Sequence, residues 1–240
     1  MNVNKKIIIS DYDQTFYIND EDIERNKVAV SKFEEKGNLF IIATGRSYLD
    51  FKNKVEAYNI NYNYVILNHG ATIIDSNDNI IYNFTIDNEI ISKIKDEISI
   101  EKSIRLFCCS ALESRVDINH KDLTKIHIKY HTKEEAMEIN KILNNRYSQY
   151  INSYYVTGDS IEIISSKTNK SNAIRLLTQK FKIDDKNIYT IGDGFSDIEM
   201  VKDFNGYCME ESVEELKKVA IKEYKSVSEL MTEVMGNESE

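Results

Sequence analysis

Apolar runs that stop abruptly at polar residues set the rhythm of this chain. Ile7-Ile8-Ile9 ends at Ser10-Asp11-Tyr12-Asp13-Gln14-Thr15, and Leu39-Phe40-Ile41-Ile42-Ala43 at Thr44-Gly45-Arg46-Ser47. Tyr64-Val65-Ile66-Leu67 ends at Asn68-His69-Gly70, and Ile188-Tyr189-Thr190-Ile191 at Gly192-Asp193-Gly194. Short continuous apolar runs of this kind predict parallel strands covered on both faces. Between them the period changes to that of helices. Asp20 is placed to cap a helix carrying Ile23, Val28 and Phe33, with Gly37 as its stop; Ser47 is placed to cap one carrying Phe51 and Val55. Lys170 opens a third, with Ala173, Ile174, Leu177 and Phe181 inward. Strand and helix in alternation predict an α/β fold, a doubly wound and mostly parallel sheet with right-handed crossovers. A polar turn at Asp75 to Asn79 joins Ile73-Ile74 to Ile80-Ile81 as a hairpin.

From Phe84 the pattern is different. Asp87 caps a helix with Ile90, Ile91, Ile94 and Ile98, followed by strands near 103–109 and 125–131. Thr132 with Glu135 forms a capping box for a helix bearing Ala136, Ile139 and Leu143, and strands near 151–156 and 160–165 follow. Helix-strand-strand written twice predicts a small α+β layer, and it is too long to be a loop. The expected organisation is therefore residues 1–83 as the first part of a core, 84–165 as an inserted domain and 166–240 as the rest of the core. Ser212 with Glu215, and Ser226 with Glu229, read as capping boxes for the last two helices.

The polar stops carry the chemistry. Open α/β sheets bind ligands beyond the C-terminal ends of their strands, so Asp11 and Asp13, Thr44, Asn68, Asp193 and Asp197 can meet in one crevice, with Lys170 facing it from its helix. Carboxylates this close to apolar strands repel each other and lose solvation, and a hard divalent cation such as Mg²⁺ suits an all-oxygen set. Nucleophilic carboxylate, second carboxylate for proton transfer, third for metal, and hydroxyl and ammonium for phosphate oxygens make a parts list for phosphoryl transfer through an aspartyl phosphate. A signalling receiver uses similar parts but has neither the insert nor an acid two residues beyond the nucleophile. A dinucleotide enzyme is disfavoured because no Gly-x-Gly-x-x-Gly follows the first strand.

Composition narrows the partners. A formal net charge of −9 gives no electrostatic footprint for nucleic acid or an anionic membrane. The opening residues lack the apolar core of a signal peptide, and three cysteines without a Cys-x-x-Cys motif fit a reducing compartment, so a cytoplasmic location is expected. Oligomeric state stays open between monomer and weak dimer. His127 and His131 are four apart but alternate with Ile126, Ile128 and Tyr130, which predicts the polar face of a strand, shared with Arg105, rather than a helical metal pair.

Asp-x-Asp-x-Thr at 11–15, Ala-Thr-Gly-Arg-Ser at 43–47, Glu162 leading to Lys170, and Gly-Asp-Gly-x-x-Asp-x-x-Met at 192–200 together resemble the four motifs of the haloacid dehalogenase superfamily. The insert lies between the second and third motifs and is similar to the type IIB cap of its Cof-like sugar-phosphatase branch. The resemblance implies a Rossmann-like core with a cap and an Mg²⁺-dependent phosphatase acting on a small phosphorylated metabolite. A phosphomutase, or a non-catalytic protein binding a phosphorylated ligand, is the alternative. It implies Asp11 as nucleophile and metal ligand, and Asp13 as general acid/base that offers its backbone carbonyl to the metal. Asp193 and Asp197 complete the metal set. Thr44, Gly45, Arg46, Lys170 and Ser196 are the implied substrate contacts, although Arg46 can equally pair with an acid across the crevice. The chain departs from the pattern with Gln14 for the usual Gly, His69 and Ser196 for Asn, and Glu210-Glu211 after Met209.

Overall fold

A computed structural model describes residues 5–98, 100–156 and 158–236, so part of the reading of the opening segment, at 1–4, lies outside the described residues. In chain order the elements are β1 (Ile7–Ser10), α1 (Asp20–Glu35), β2 (Leu39–Ala43), α2 (Tyr48–Tyr58), β3 (Tyr64–Leu67), β4 (Thr72–Asp75) and β5 (Ile80–Asn83). Then come α3 (Asn88–Glu97), β6 (Arg105–Cys109), β7 (Ser114–Val116), β8 (Lys125–Lys129), α4 (Lys133–Tyr147), β9 (Ile151–Val156) and β10 (Ser160–Ser165). The chain closes with α5 (Lys170–Phe181), β11 (Ile188–Gly192), α6 (Ile198–Asp203), β12 (Asn205–Met209), α7 (Glu214–Lys217), β13 (Glu223–Tyr224) and α8 (Val227–Gly236).

The larger sheet has the order β13-β12-β11-β1-β2-β3-β4-β5. All its pairs are parallel except those of the β3-β4-β5 hairpin extension. Its faces sort residues by the period of two. Ile8, Phe40 and Ile42 join Ile23 and Phe33 of α1, Phe51 of α2 and Leu230 of α8 in one core. Ile7, Ile9, Leu39 and Ile41 join Ala173, Ile174 and Leu177 of α5 and Met200 of α6 in the other. A strand buried on both faces has no use for polar residues until it ends, which is why its acids sit at the tips. Strand order runs outward from β1 in both directions, so the tip of β1 lies at the topological switch point.

The smaller sheet, β7-β6-β8-β10-β9, is antiparallel. Its apolar face packs on α3 and α4 through Ile90, Ile94, Ile126, Ile128, Leu143 and Ile163. The opposite face carries Lys125, His127 and Glu162. The doubled helix-strand-strand reading missed β7, which is three residues long and paired across a bulge between Cys108 and Cys109. In the core, the sequence reading missed β12, in which polar and apolar residues mix without an apolar run, and β13, only two residues long.

Several caps differ from expectation. Asn19, not Asp20, caps α1, its side chain accepting from Glu21 and Asp22 N–H groups. Ser47 holds the N-cap position of α2 as expected, but its side chain makes no capping bond; its hydroxyl donates to Asp50 and accepts from Ser114 of β7. Ser212 donates to the Gly192 carbonyl while Val213 takes the cap position of α7. Asp87 and the Thr132/Glu135 box cap as predicted. Ser226 accepts from Glu229 N–H at 3.3 Å. Among the described residues no helix is long and apolar enough to cross a membrane.

Candidate active site

Asp11 follows the last residue of β1, and its N–H still donates to Ile191 of β11 at 2.9 Å, so the sheet itself sets its backbone. From there the chain turns back. Phe16 N–H returns to Asp11 O, Tyr17 N–H to Tyr12 O, and Gln14 N–H to Tyr17 O. This turn holds Gln14 at φ 59°, the left-handed region that glycine enters without cost and other residues at about 1–2 kcal/mol. The departure from glycine therefore leaves the turn in place and charges it with local strain.

The buried centre is Lys170. Its Nζ donates to Asp11 Oδ1 and to Asp197 Oδ1, both at 2.6 Å. Lys170 is the first residue of α5, capped by Asn169, and the approach of this helix to the sheet depends on Gly70. Gly70 has φ +108°, and a Cβ there would lie 2.3 Å from the Asn169 carbonyl oxygen. Asp11, Asp193 and Asp197 offer oxygens that all lie within 4.8 Å of one another. Thr15 donates to Asp193 Oδ1 at 2.8 Å, and Asp197 Oδ2 accepts the N–H groups of Asp193 and Gly194 at 3.1 and 3.0 Å. Gly192 leaves room for Asp197, whose Cγ would meet a Cβ at 2.5 Å.

Three carboxylates thus share one ammonium. Burial pushes Asp11 well above the usual carboxylate range; Lys170 opposes the rise, and Asp197 and Asp193 add to it. Asp193 is pushed up to about 6, by burial first and by Asp197 second. Burial alone would lower Lys170, but Asp11 and Asp197 outweigh it and hold the ammonium above its ordinary value. An all-oxygen set whose charge is only partly compensated fits a hard divalent cation.

Asp13 points elsewhere. Arg46 grips it bidentately, Nε to Oδ2 at 2.8 Å and a terminal nitrogen to Oδ1 at 2.6 Å, with the guanidinium over the Tyr12 ring. Arg46 therefore pairs with an acid across the crevice. Asp13's side chain stays 46% exposed, so this pair faces the open part of the site. Thr44 is buried, its hydroxyl accepting from Arg46 N–H at 3.1 Å, and its backbone is fixed between Ile66 O and His69 N–H. Ser196 is half-buried in the short 3₁₀ turn that leads to Asp197.

Sequence reasoning missed a second charged group. Glu162 of β10 accepts from Lys125 Nζ at 2.8 Å, from His127 Nδ1 at 3.0 Å and from His69 Nε2. Lys125 Nζ also donates to the Gly45 carbonyl at 2.6 Å. The alternation that put His127 on a polar strand face was the available signal, but it does not reveal which acid that face meets. His131 lies beyond β8, exposed, and shares no ligand set with His127.

A family model described as haloacid dehalogenase-like hydrolase matches residues 8–116 and 109–229. The chain is 25% identical over 210 residues to the 5-amino-6-(5-phospho-D-ribitylamino)uracil phosphatase of Bacillus subtilis, covering 84% of this chain and 82% of that protein. A solved haloacid dehalogenase-like hydrolase from B. subtilis superimposes with a TM-score of 0.80 at 18% identity, covering 95% of this chain and 99% of that one. A Bacteroides thetaiotaomicron protein, described among phosphatases of the same superfamily, gives a TM-score of 0.77 at 17% identity, over 98% and 96% of the two chains.

Proposed function

This chain belongs to the haloacid dehalogenase-like hydrolases, and from that membership we propose that it is an Mg²⁺-dependent phosphatase. Its substrate is a small phosphorylated metabolite, a sugar phosphate or similar monoester. The observation that carries the reading is the buried Asp11-Lys170-Asp197 bridge with Asp193 beside it at the switch-point edge. Asp11, Asp193 and Asp197, with the backbone carbonyl of Asp13, would hold Mg²⁺, which when bound supplies positive charge for the phosphoryl oxygens and lowers their repulsion from Asp11.

Asp11 attacks phosphorus, forming a bond from its carboxylate oxygen as the bond to the leaving-group oxygen breaks. Asp13 gives that oxygen its proton, then takes one from the water that attacks the phosphoryl-Asp11 phosphorus, releasing inorganic phosphate and restoring both carboxyls. In the structure both Asp13 oxygens are engaged by Arg46, so proton transfer requires this exposed pair to open. Lys170 and the Thr44 hydroxyl hold phosphoryl oxygens. Residues 84–165, with the smaller sheet, act as a cap that excludes water and contacts the leaving group.

The test is release of inorganic phosphate from a panel of phosphorylated metabolites with Mg²⁺. Turnover is expected on at least one monoester and is lost with excess chelator; return of the phosphoryl group to substrate without net release would instead identify a mutase.

A second expectation concerns stability. A carboxyl whose folded value is raised contributes stability at low pH that is lost as pH climbs through that value. For Asp193 the loss runs from about 4, the unfolded value, to about 6, and Asp11 shifts in the same direction. Bound Mg²⁺ offsets that loss, so the rise in unfolding midpoint on adding Mg²⁺ should grow across this window. Thermal unfolding at several pH values checks it; an increment that is independent of pH would count against these ligands.

A further inference from the structure

Glu162, Lys125, His127 and His69 form a buried charged group that the reaction as described does not use. Glu162 is 8% exposed, Lys125 2% and His69 5%. Burial pushes the Glu162 carboxyl up, but Lys125, His127 and His69 outweigh it and hold the group well below the usual carboxylate range. Burial lowers His69 more than Glu162 raises it, so near neutral pH the imidazole is uncharged and its Nε2–H donates to Glu162. The fixed charge pair is Glu162 with Lys125.

What this group touches gives it a role. Lys125 of β8 donates to the Gly45 carbonyl at 2.6 Å, reaching out of the smaller sheet onto the turn after β2. His69, on the turn after β3, lies against the other side of the same residue. A Cβ on Gly45 would meet the imidazole Cε1 at 2.3 Å and Nε2 at 2.6 Å. The backbone closes the arrangement, His69 N–H donating to Thr44 O and Asn68 N–H to Arg46 O, each at 3.0 Å. Gly45 is thus fixed from the core by His69 and from the smaller sheet by Lys125, and one carboxylate binds both. Its neighbours are Thr44, assigned above to the phosphoryl oxygens, and Arg46, which holds Asp13.

We propose that Glu162 is a positioning residue: through Lys125 and His69 it fixes the Thr44-Gly45-Arg46 turn for phosphate and ties that turn to the placement of the smaller sheet. This rests on the assignment of Thr44 to phosphate under the proposed function. A charge-assisted hydrogen bond aimed at a backbone carbonyl defines that carbonyl's position more narrowly than a neutral one. Losing it lets the turn relax without removing any group that touches the phosphoryl oxygens. The placement supports the division of labour, since Lys125 on β8 and Glu162 on β10 sit on paired strands of the smaller sheet while His69 belongs to the core.

The probe is inorganic phosphate, which has no leaving group, binding to the Mg²⁺-loaded full chain and measured by calorimetry. Glu162→Gln keeps the shape and removes the charge. Because it leaves Lys125 buried without its partner, the paired variant Lys125→Met/Glu162→Gln, which carries no unpaired buried charge, is measured beside it. The expected result is phosphate affinity weakened about tenfold in folded variants, the scale of one charge-assisted hydrogen bond. Affinity within about twofold of the parent in a folded variant overturns the proposal. A paired variant that does not fold overturns it in favour of a purely structural role. If the parent chain itself binds no phosphate, the assignment of Thr44 to phosphate fails and this inference falls with it, an outcome distinct from a loss confined to the variants.

Discussion

Asp11→Asn should lose turnover by more than about 10⁴-fold, the scale on which removing a nucleophile acts, while the chain stays folded. The amide has the size of the carboxylate and can still accept from Lys170 Nζ, but it cannot attack phosphorus, and it binds a hard cation more weakly. Stability should not fall with activity. Burial and the neighbouring acids already press Asp11 toward its neutral form, against Lys170, so a neutral isostere relieves repulsion. Lys170 keeps Asp197 as its charged partner. The check is a pair of measurements on one preparation, phosphate release and thermal unfolding without metal. Retention of near-parental turnover would remove Asp11 from the role of nucleophile; loss of turnover together with loss of the fold would say only that the carboxylate is structural.

The second large effect belongs to Asp13. Its replacement by Asn removes proton transfer, and the expected loss is about 10²–10⁴-fold on alkyl phosphates, whose leaving oxygen must be protonated. Aryl phosphates with stable leaving groups should lose less in the first step, because their departure needs no proton. The structure adds a second consequence. Asp13→Asn breaks a bidentate ion pair, so Arg46 is released in the variant. The pair is partly exposed, and its loss should cost little stability. Comparing alkyl and aryl substrates under single turnover separates the roles, and equal losses on both would contradict the acid function.

The fold was legible because hydrophobic runs and their polar stops coincide. β1, β2, β3 and β11 are each apolar to the last residue or two and end at Asp11, Thr44, Asn68 and Asp193, so the sheet and the edge of the site could be read together. What escaped has the opposite character. β7 and β13 are short and β12 is mixed in polarity, and all three join the sheets through backbone pairing that leaves little trace in side-chain pattern. The cap of α1 was misjudged between two adjacent polar residues, Asn19 and Asp20, and that of α7 because Ser212 bonds the Gly192 carbonyl instead. Lys170 was identified from its place at a helix start, and the structure brings it to Asp11 across 159 residues of sequence. Lys125 and Glu162 belong to strands that sequence predicted, but their meeting with Gly45 and His69 is contact between two sheets, which no local pattern encodes.

Asp13 also offers a direct route to the central claim. With Asn at position 13 and an aryl phosphate as substrate, the first step needs no proton, whereas hydrolysis of the intermediate still needs a base for water. Phosphoryl-enzyme should therefore accumulate. Acid-quenched samples of Asp13→Asn, taken during turnover and analysed by mass spectrometry, should carry one added phosphoryl group on the peptide containing Asp11, and none in the Asp11→Asn/Asp13→Asn variant. Phosphate released with no protein-bound phosphoryl group at any time, or a phosphoryl group on a different residue, would contradict the account.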